Sequence, residues 1–155
     1  MAVRWSEFEA REPELAATSR RLLYPIGPKG PGLGFLATTR ADGGPRVHPV
    51  CPALHEGGLY VFVMPRSPKR FDLERDGRYA LHGYPAEKDD ESFYCIGPAV
   101  AITDPAFSEG VKSAFTYQVM SGEVLFELRL HRVLHTSWLL PRQPGTKPVY
   151  HRWQP

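Results

Sequence analysis

The sequence predicts a small, mainly β barrel built from antiparallel strands with a few short helices. Three observations carry this. Its 16 Pro and 14 Gly are spread along the chain rather than gathered in a linker, which implies many turns between short elements. Six or seven short runs are apolar or alternate in polarity. Two of the gaps between them, Asp42-Gly43-Gly44 and Glu56-Gly57-Gly58, carry the residues that tight hairpins need for positive φ.

The elements follow in order. Ser6 with Glu9 three residues on forms a capping-box pattern that opens a helix over 6–23, and Pro13 divides it. A Pro/Gly loop runs from Pro25 to Gly32. Strands are expected at 33–40 and 46–54, joined by the first hairpin turn, and at 59–64 after the second. The third strand is apolar on both faces, so it must be covered on both sides, by a helix or by a partner chain. Ser67 and Pro68 suit the N-cap and first turn of a helix that ends at Asp76-Gly77. A fourth strand is expected at 78–84, a polar loop at 85–91, a fifth strand at 92–103 and a helix from Asp104-Pro105 to about Tyr117. Residues 124–131 alternate cleanly, which predicts a half-exposed strand, and a last strand lies near 134–140. Beyond Pro141 the chain reads as a polar tail, with Tyr150 and Trp153 as docking aromatics.

At 155 residues the chain fits one domain, 1–155, with residues 1–32 as an N-terminal helix and loop and 141–155 as the tail. A chain this long buries about 70% of its unfolded surface, so it folds without disulfides. The net charge of +2 is too even for a nucleic-acid footprint. No window approaches the ~20 apolar residues of a membrane span, and the first residues carry no apolar leader core. Cys51 and Cys95 form no CxxC pair and read as packing residues of a reduced, cytoplasmic protein.

Several motifs fail on context. Gly32-Leu33-Gly34-Phe35-Leu36-Ala37 precedes a strand, whereas the dinucleotide fingerprint follows one. His131 and His135 lie about 13 Å apart on a strand, too far to share a metal, and the other histidines lack ligand spacing.

Two stretches point to a ligand. In Ser67-Pro68-Lys69-Arg70, two cations occupy the first turn of a helix, where the dipole disfavours them. A bound phosphate would remove that mismatch. In Arg46-Val47-His48-Pro49-Val50-Cys51, Arg46, His48 and Val50 share one strand face, and Arg46 is suited to bidentate phosphate contact. Pro49 implies an edge or bulged strand. Taken alone, each stretch reads first as a plain helix cap or an exposed strand face.

Together they resemble a known family. Gly34-Phe35-Leu36-Ala37-Thr38, Asp42-Gly43-Gly44-Pro45-Arg46-Val47-His48-Pro49-Val50, Leu59-Tyr60-Val61-Phe62, Ser67-Pro68-Lys69-Arg70, Asp72-Leu73-Glu74-Arg75-Asp76 and Tyr79-Ala80-Leu81 follow one another as in the flavin-binding split-barrel family related to pyridoxamine 5′-phosphate oxidase. Phe93-Tyr94-Cys95-Ile96-Gly97 continues the likeness more loosely, with Gly97-Pro98-Ala99 where many relatives carry Gly-Arg-Ala. The resemblance implies a six-stranded Greek-key split barrel that forms a homodimer with FMN between the subunits. It implies that Lys69, with Ser67 and Arg70 nearby, meets the flavin phosphate, and that Arg46 adds charge from the preceding strand. Val47, His48, Pro49, Val50, Phe62 and Val63 would line the ring. No set of residues for a pyridoxal phosphate substrate stands out.

The leading functional expectation is therefore an FMN-dependent oxidoreductase acting on a small molecule, with the flavin supplying the redox chemistry. The deazaflavin F420 is the alternative cofactor within the same superfamily. A haem-binding relative, with His48 or His82 as axial ligand, and a non-catalytic flavin-binding module are the other readings.

Overall fold

The computed structural model describes residues 1–85 and 90–155, so most of the expected 85–91 loop lies outside the described residues. Among the described residues, nine strands form one curled antiparallel sheet, with four short helices against it. The helices are α1 (Trp5–Arg11), α2 (Pro13–Leu23), α3 (Pro68–Arg75) and α4 (Pro105–Lys112). The strands are β1 (Gly34–Thr39), β2 (Pro45–Val50), β3 (Ala53–His55), β4 (Gly58–Val63), β5 (Arg78–Gly83), β6 (Ser92–Ile102), β7 (Val124–Leu128), β8 (Arg132–Leu139) and β9 (Lys147–Trp153). The order across the sheet is β2-β1-β5-β6-β7-β4-β3, with β8 beside β6 and β9 beside β8.

This is a mainly β, barrel-like fold, as the turn pattern predicts, but with nine strands among the described residues rather than the seven ranges read from the sequence. Two differences account for the count. Cys51-Pro52 breaks the expected 46–54 strand into β2 and β3, which pair with different neighbours, β1 and β4. The polar tail also folds back as β9, seven residues paired along β8. Trp153 at its end is buried against Phe8, ring centroids 4.9 Å apart, whereas Tyr150 stays exposed.

Both predicted hairpins form. Gly43 adopts φ +83°, and Glu56 and Gly57 both take positive φ between His55 and Gly58, the geometry of a two-residue hairpin loop. Strand β2 lies at one end of the sheet order, where Pro45 and Pro49 cost no ladder hydrogen bond.

The helix start differs from the capping-box expectation. Helix α1 begins at Trp5, and Glu7 accepts a hydrogen bond from the Arg4 backbone N–H at 3.1 Å. The Ser6 N–H is used by the Gly57 carbonyl (2.9 Å), and Glu9 pairs with Arg20 instead. Starting at Trp5 sets Trp5 and Phe8 three residues apart on the buried face.

Strand β6 bends the sheet. Its first half lies between β5 and β8, and its second half pairs with β7. At the bend, a Cβ on Gly97 would sit 1.9 Å from the Arg129 carbonyl oxygen, so only glycine lets these backbones meet.

Strand β4 is buried on both faces, as expected from its composition. Leu59, Val61 and Val63 enter the main core with Leu36, Leu81, Cys95 and Phe126. Tyr60 and Phe62 form a second cluster with Val111 of α4, Leu125 and Phe115. Helix α4 and the segment after it thus cover the second face from within the same chain. Strand β7 departs from the half-exposed expectation, because Glu127 is buried as well as Phe126 and Leu128. Arg4 Nε at 2.7 Å and Arg129 Nε at 3.1 Å neutralise that carboxylate. Helix α4 ends at Lys112, five residues short of the expected Tyr117.

Candidate functional site

A cavity of about 430 Å³ opens between the end of β2, the end of β4 and the first turn of α3. Pro49, Val50, Phe62 and Lys69 line it, four residues that the sequence marks for the ligand. Leu33, Gly34, Cys51, Met64, Tyr84, Tyr117 and Glu123 complete the wall.

Lys69 is its cation. It takes part in no ion pair within 4.0 Å among the described residues, and burial lowers its pKa, with the Glu123 charge opposing that shift. A half-buried ammonium without a close counter-ion is a group that an anionic ligand would stabilise. Ser67 sits at the N-cap of α3 in extended conformation, yet its hydroxyl makes no cap hydrogen bond. Both groups at this helix start are therefore free to meet an incoming anion.

The two arginines expected beside the phosphate are differently placed. Arg46 Nε donates to Asp72 Oδ2 at 2.7 Å. Asp72 is buried and also accepts from Thr38 Oγ1 (2.8 Å) and Arg75 Nη1 (3.4 Å). Burial alone would raise the Asp72 pKa, but the bonds from Arg46 and Thr38 and the charge of Arg46 hold it below the usual range. Arg70 donates to Glu74 (2.8 Å) and to the Pro65 carbonyl (2.9 Å). These guanidiniums are anchored by the protein's own acceptors, leaving Lys69 as the uncommitted charge.

Of the expected ring-lining residues, Pro49, Val50 and Phe62 face the cavity, while Val47 is exposed on β2. Val63 points the other way, into the main core at 0% exposure. His48, next to Pro49 on β2, is not among the residues that line the cavity. Its Nδ1 is buried without a hydrogen-bond partner, and burial, then Lys69 and Arg46, lower its pKa. That orphaned nitrogen and the unpaired Lys69 fit an anionic group with hydrogen-bonding atoms.

Sequence reasoning missed Tyr117, Glu123, Met64 and Tyr84, and read Cys51 as a plain packing residue. Burial pushes the Tyr117 hydroxyl up to about 12, with Glu123 and Cys51 adding to the shift. Burial also raises the Cys51 thiol. Tyr84 stacks on Phe35 with ring centroids 5.6 Å apart. The aromatic spacing Phe115-x-Tyr117 was the available signal, since Phe115 contacts both Phe62 and Tyr117 edge to face. His82 is committed elsewhere, its Nδ1 lying 2.6 Å from the Gly83 carbonyl. Among the described residues, no three His, Cys, Asp or Glu side chains gather as a metal site.

No family model matches the chain, and no curated protein matches it in sequence. Solved structures do match. PhzG from Burkholderia lata 383, in complex with tetrahydrophenazine-1-carboxylic acid, aligns at 14% identity over 97% of this chain and 93% of its own, TM-score 0.59. An F420 reductase aligns at 18% identity over 71% of this chain and 94% of its own, TM-score 0.55. A haem-binding protein from Mycobacterium smegmatis aligns at 18% identity over 86% of this chain, TM-score 0.55, and this chain spans 57% of it. The chain therefore shares the split-barrel fold of these structures, the fold that its motif succession implies. No helix is long and apolar enough to cross a membrane among the described residues.

Proposed function

We propose that this chain binds FMN in the cavity between β2, β4 and α3 and serves as a flavin-dependent oxidoreductase for a small molecule. The observation that carries the reading is Lys69, an unpaired, half-buried cation at the start of α3. Four residues marked from sequence line the same cavity, and its volume lies within the usual range for small-ligand sites.

Lys69 would meet the phosphate as a point charge, with the Ser67 hydroxyl and the first N–H groups of α3 adding donors. Pro49, Val50 and Phe62 would hold one side of the ring and exclude water. The His48 Nδ1 is a hydrogen-bonding atom for the ligand's polar edge. When bound, the flavin supplies the electron transfer. Arg46 and Arg70 would add positive potential from behind their carboxylate partners. Val47, Met64 and Tyr84 are exposed apolar residues on or beside the cavity, which supports a homodimer whose second copy closes it. Two free cysteines support a reducing, cytoplasmic setting. The same site would take the deazaflavin F420, and the fold likeness to an F420 reductase favours keeping that reading second.

The test is an absorption spectrum of the purified protein after addition of excess FMN and removal of free ligand. Retained flavin bands are expected in the wild type. In Lys69→Ala the affinity should fall about tenfold or more, the loss of one charge-assisted hydrogen bond. A wild-type protein that retains no flavin refutes the FMN reading, and titration with F420 follows.

A further inference from the structure

A second cavity of about 680 Å³ lies next to the first. No residue lines both, but positions close together along the chain do. Cys51 lines one and Leu54 the other; Tyr117 lines one, Phe115 and Thr116 the other; Leu33 lines one and Gly30 the other. None of the residues marked for the cofactor lines this second space.

Its chemistry is one-sided. Arg20, Arg21 and Lys29 line it, and no acidic residue does. Arg20 gives one Nη2 hydrogen bond to Glu9 (2.8 Å) and sits over the Trp5 ring at 5.9 Å. Arg21 is held by Glu91 through its Nη2. Each guanidinium thus has one carboxylate partner while its remaining N–H groups make no further hydrogen bond among the described residues. Lys29 forms no ion pair among the described residues, and it rides on a turn held by the Gly27 and Gly30 amides, bonded to Tyr24 and Gly27 carbonyls at 3.0 Å each. Tyr24, Leu54 and Phe115 form the apolar part of the remaining wall, with Ser113 and Thr116 beside them. The Tyr24 hydroxyl accepts from the Leu54 N–H at 2.8 Å, which locks that ring beside Leu54, and Phe115 is pinned by Phe62 and Tyr117.

A basic residue in the last turn of a helix ordinarily answers the helix dipole, and Arg20 and Arg21 do so on α2. Lys29 lies beyond the helix, and the dipole does not account for it. Nor does the dipole account for a roomy cavity that joins three cations to a fixed aromatic and aliphatic wall. We infer that this cavity is a second ligand site, which takes an organic anion with a flat apolar body, its carboxylate, sulfonate or phosphate group set against Lys29, Arg20 and Arg21 and its body against Tyr24, Leu54 and Phe115. The inference is independent of which cofactor occupies the first cavity.

The experiment is a fluorescence titration of the full chain with 8-anilinonaphthalene-1-sulfonate, an aromatic anion of this class. Wild type should show one saturable site. Lys29→Glu, a change on an exposed turn that leaves the core untouched, should weaken it about tenfold. Lys69→Ala, which alters the first cavity alone, should leave it unchanged. Three results overturn the proposal: no saturable binding by the wild type, equal binding by Lys29→Glu, or loss of binding in Lys69→Ala, which would place the probe in the first cavity.

Discussion

Replacing Asp72 with Asn tests how the charged wall behind the cavity is held. Asp72 Oδ2 alone accepts from both Thr38 Oγ1 (2.8 Å) and Arg46 Nε (2.7 Å). The Asn side chain keeps the volume but offers one acceptor oxygen and no charge. With its oxygen at the Oδ2 position the amide keeps both acceptances and loses only the charge; turned the other way, its N–H faces the Arg46 guanidinium. Arg46 is 28% exposed, so the lost ion pair falls at the low end of the ~3–5 kcal/mol seen for buried pairs. Arg75, more exposed and 3.4 Å away, adds little. A total of about 3 kcal/mol lowers the melting temperature by roughly 6–12 °C in a chain this size. Calorimetry or a urea melt at pH 7 reads it. The pH dependence follows from the direction of the shift. Asp72 is held below its unfolded value of about 3.9, so its contribution is complete above that value and is lost as pH falls through the lower folded value. Wild type and Asp72→Asn should therefore converge in stability below about pH 4. A loss under ~1 kcal/mol at pH 7, or a gap that persists in acid, refutes the account.

Two further outcomes are expected. Gly97→Ala drives a Cβ to within 1.9 Å of the Arg129 carbonyl oxygen and should cost about 3 kcal/mol by urea midpoint, with no compensation available from a flexible side chain. Ellman's reagent at pH 8 should modify Cys51 slowly and Cys95 not at all in the native protein, because burial raises both thiols and pushes Cys95 up to about 12. Saturating FMN should protect Cys51, which lines the cavity, and a reaction rate unchanged by FMN would place the flavin elsewhere.

Much of the fold was legible because turn chemistry is local. Asp42-Gly43-Gly44 and Glu56-Gly57-Gly58 place their hairpins, and Ser67-Pro68 to Asp76-Gly77 bounds α3. The misreadings have distant causes. Glu127 alternates like a solvent-facing residue, yet its partner Arg4 lies 123 positions away. Strand β9 is polar because it is an exposed strand against β8, and only Trp153 reveals its docking. The site was half legible for the same reason. Lys69, Pro49, Val50 and Phe62 sit on regular elements whose faces can be counted. Tyr117 and Glu123 come from the segment between α4 and β7, whose path no periodicity encodes, and Val63 was assigned to the wrong face of a strand that is apolar on both.

The two ends of the sheet order, β2 and β3, are neighbours in sequence, joined only by Cys51 and Pro52. They share no ladder, and each edge pairs inward, with β1 and β4. The Cys51 wall of the cavity stands at this seam. A molecule entering there displaces side chains and water but has no backbone ladder to break between those strands. Exchange of the proposed ligand would therefore leave the sheet intact, with its residence time set by its own contacts rather than by the opening of the barrel.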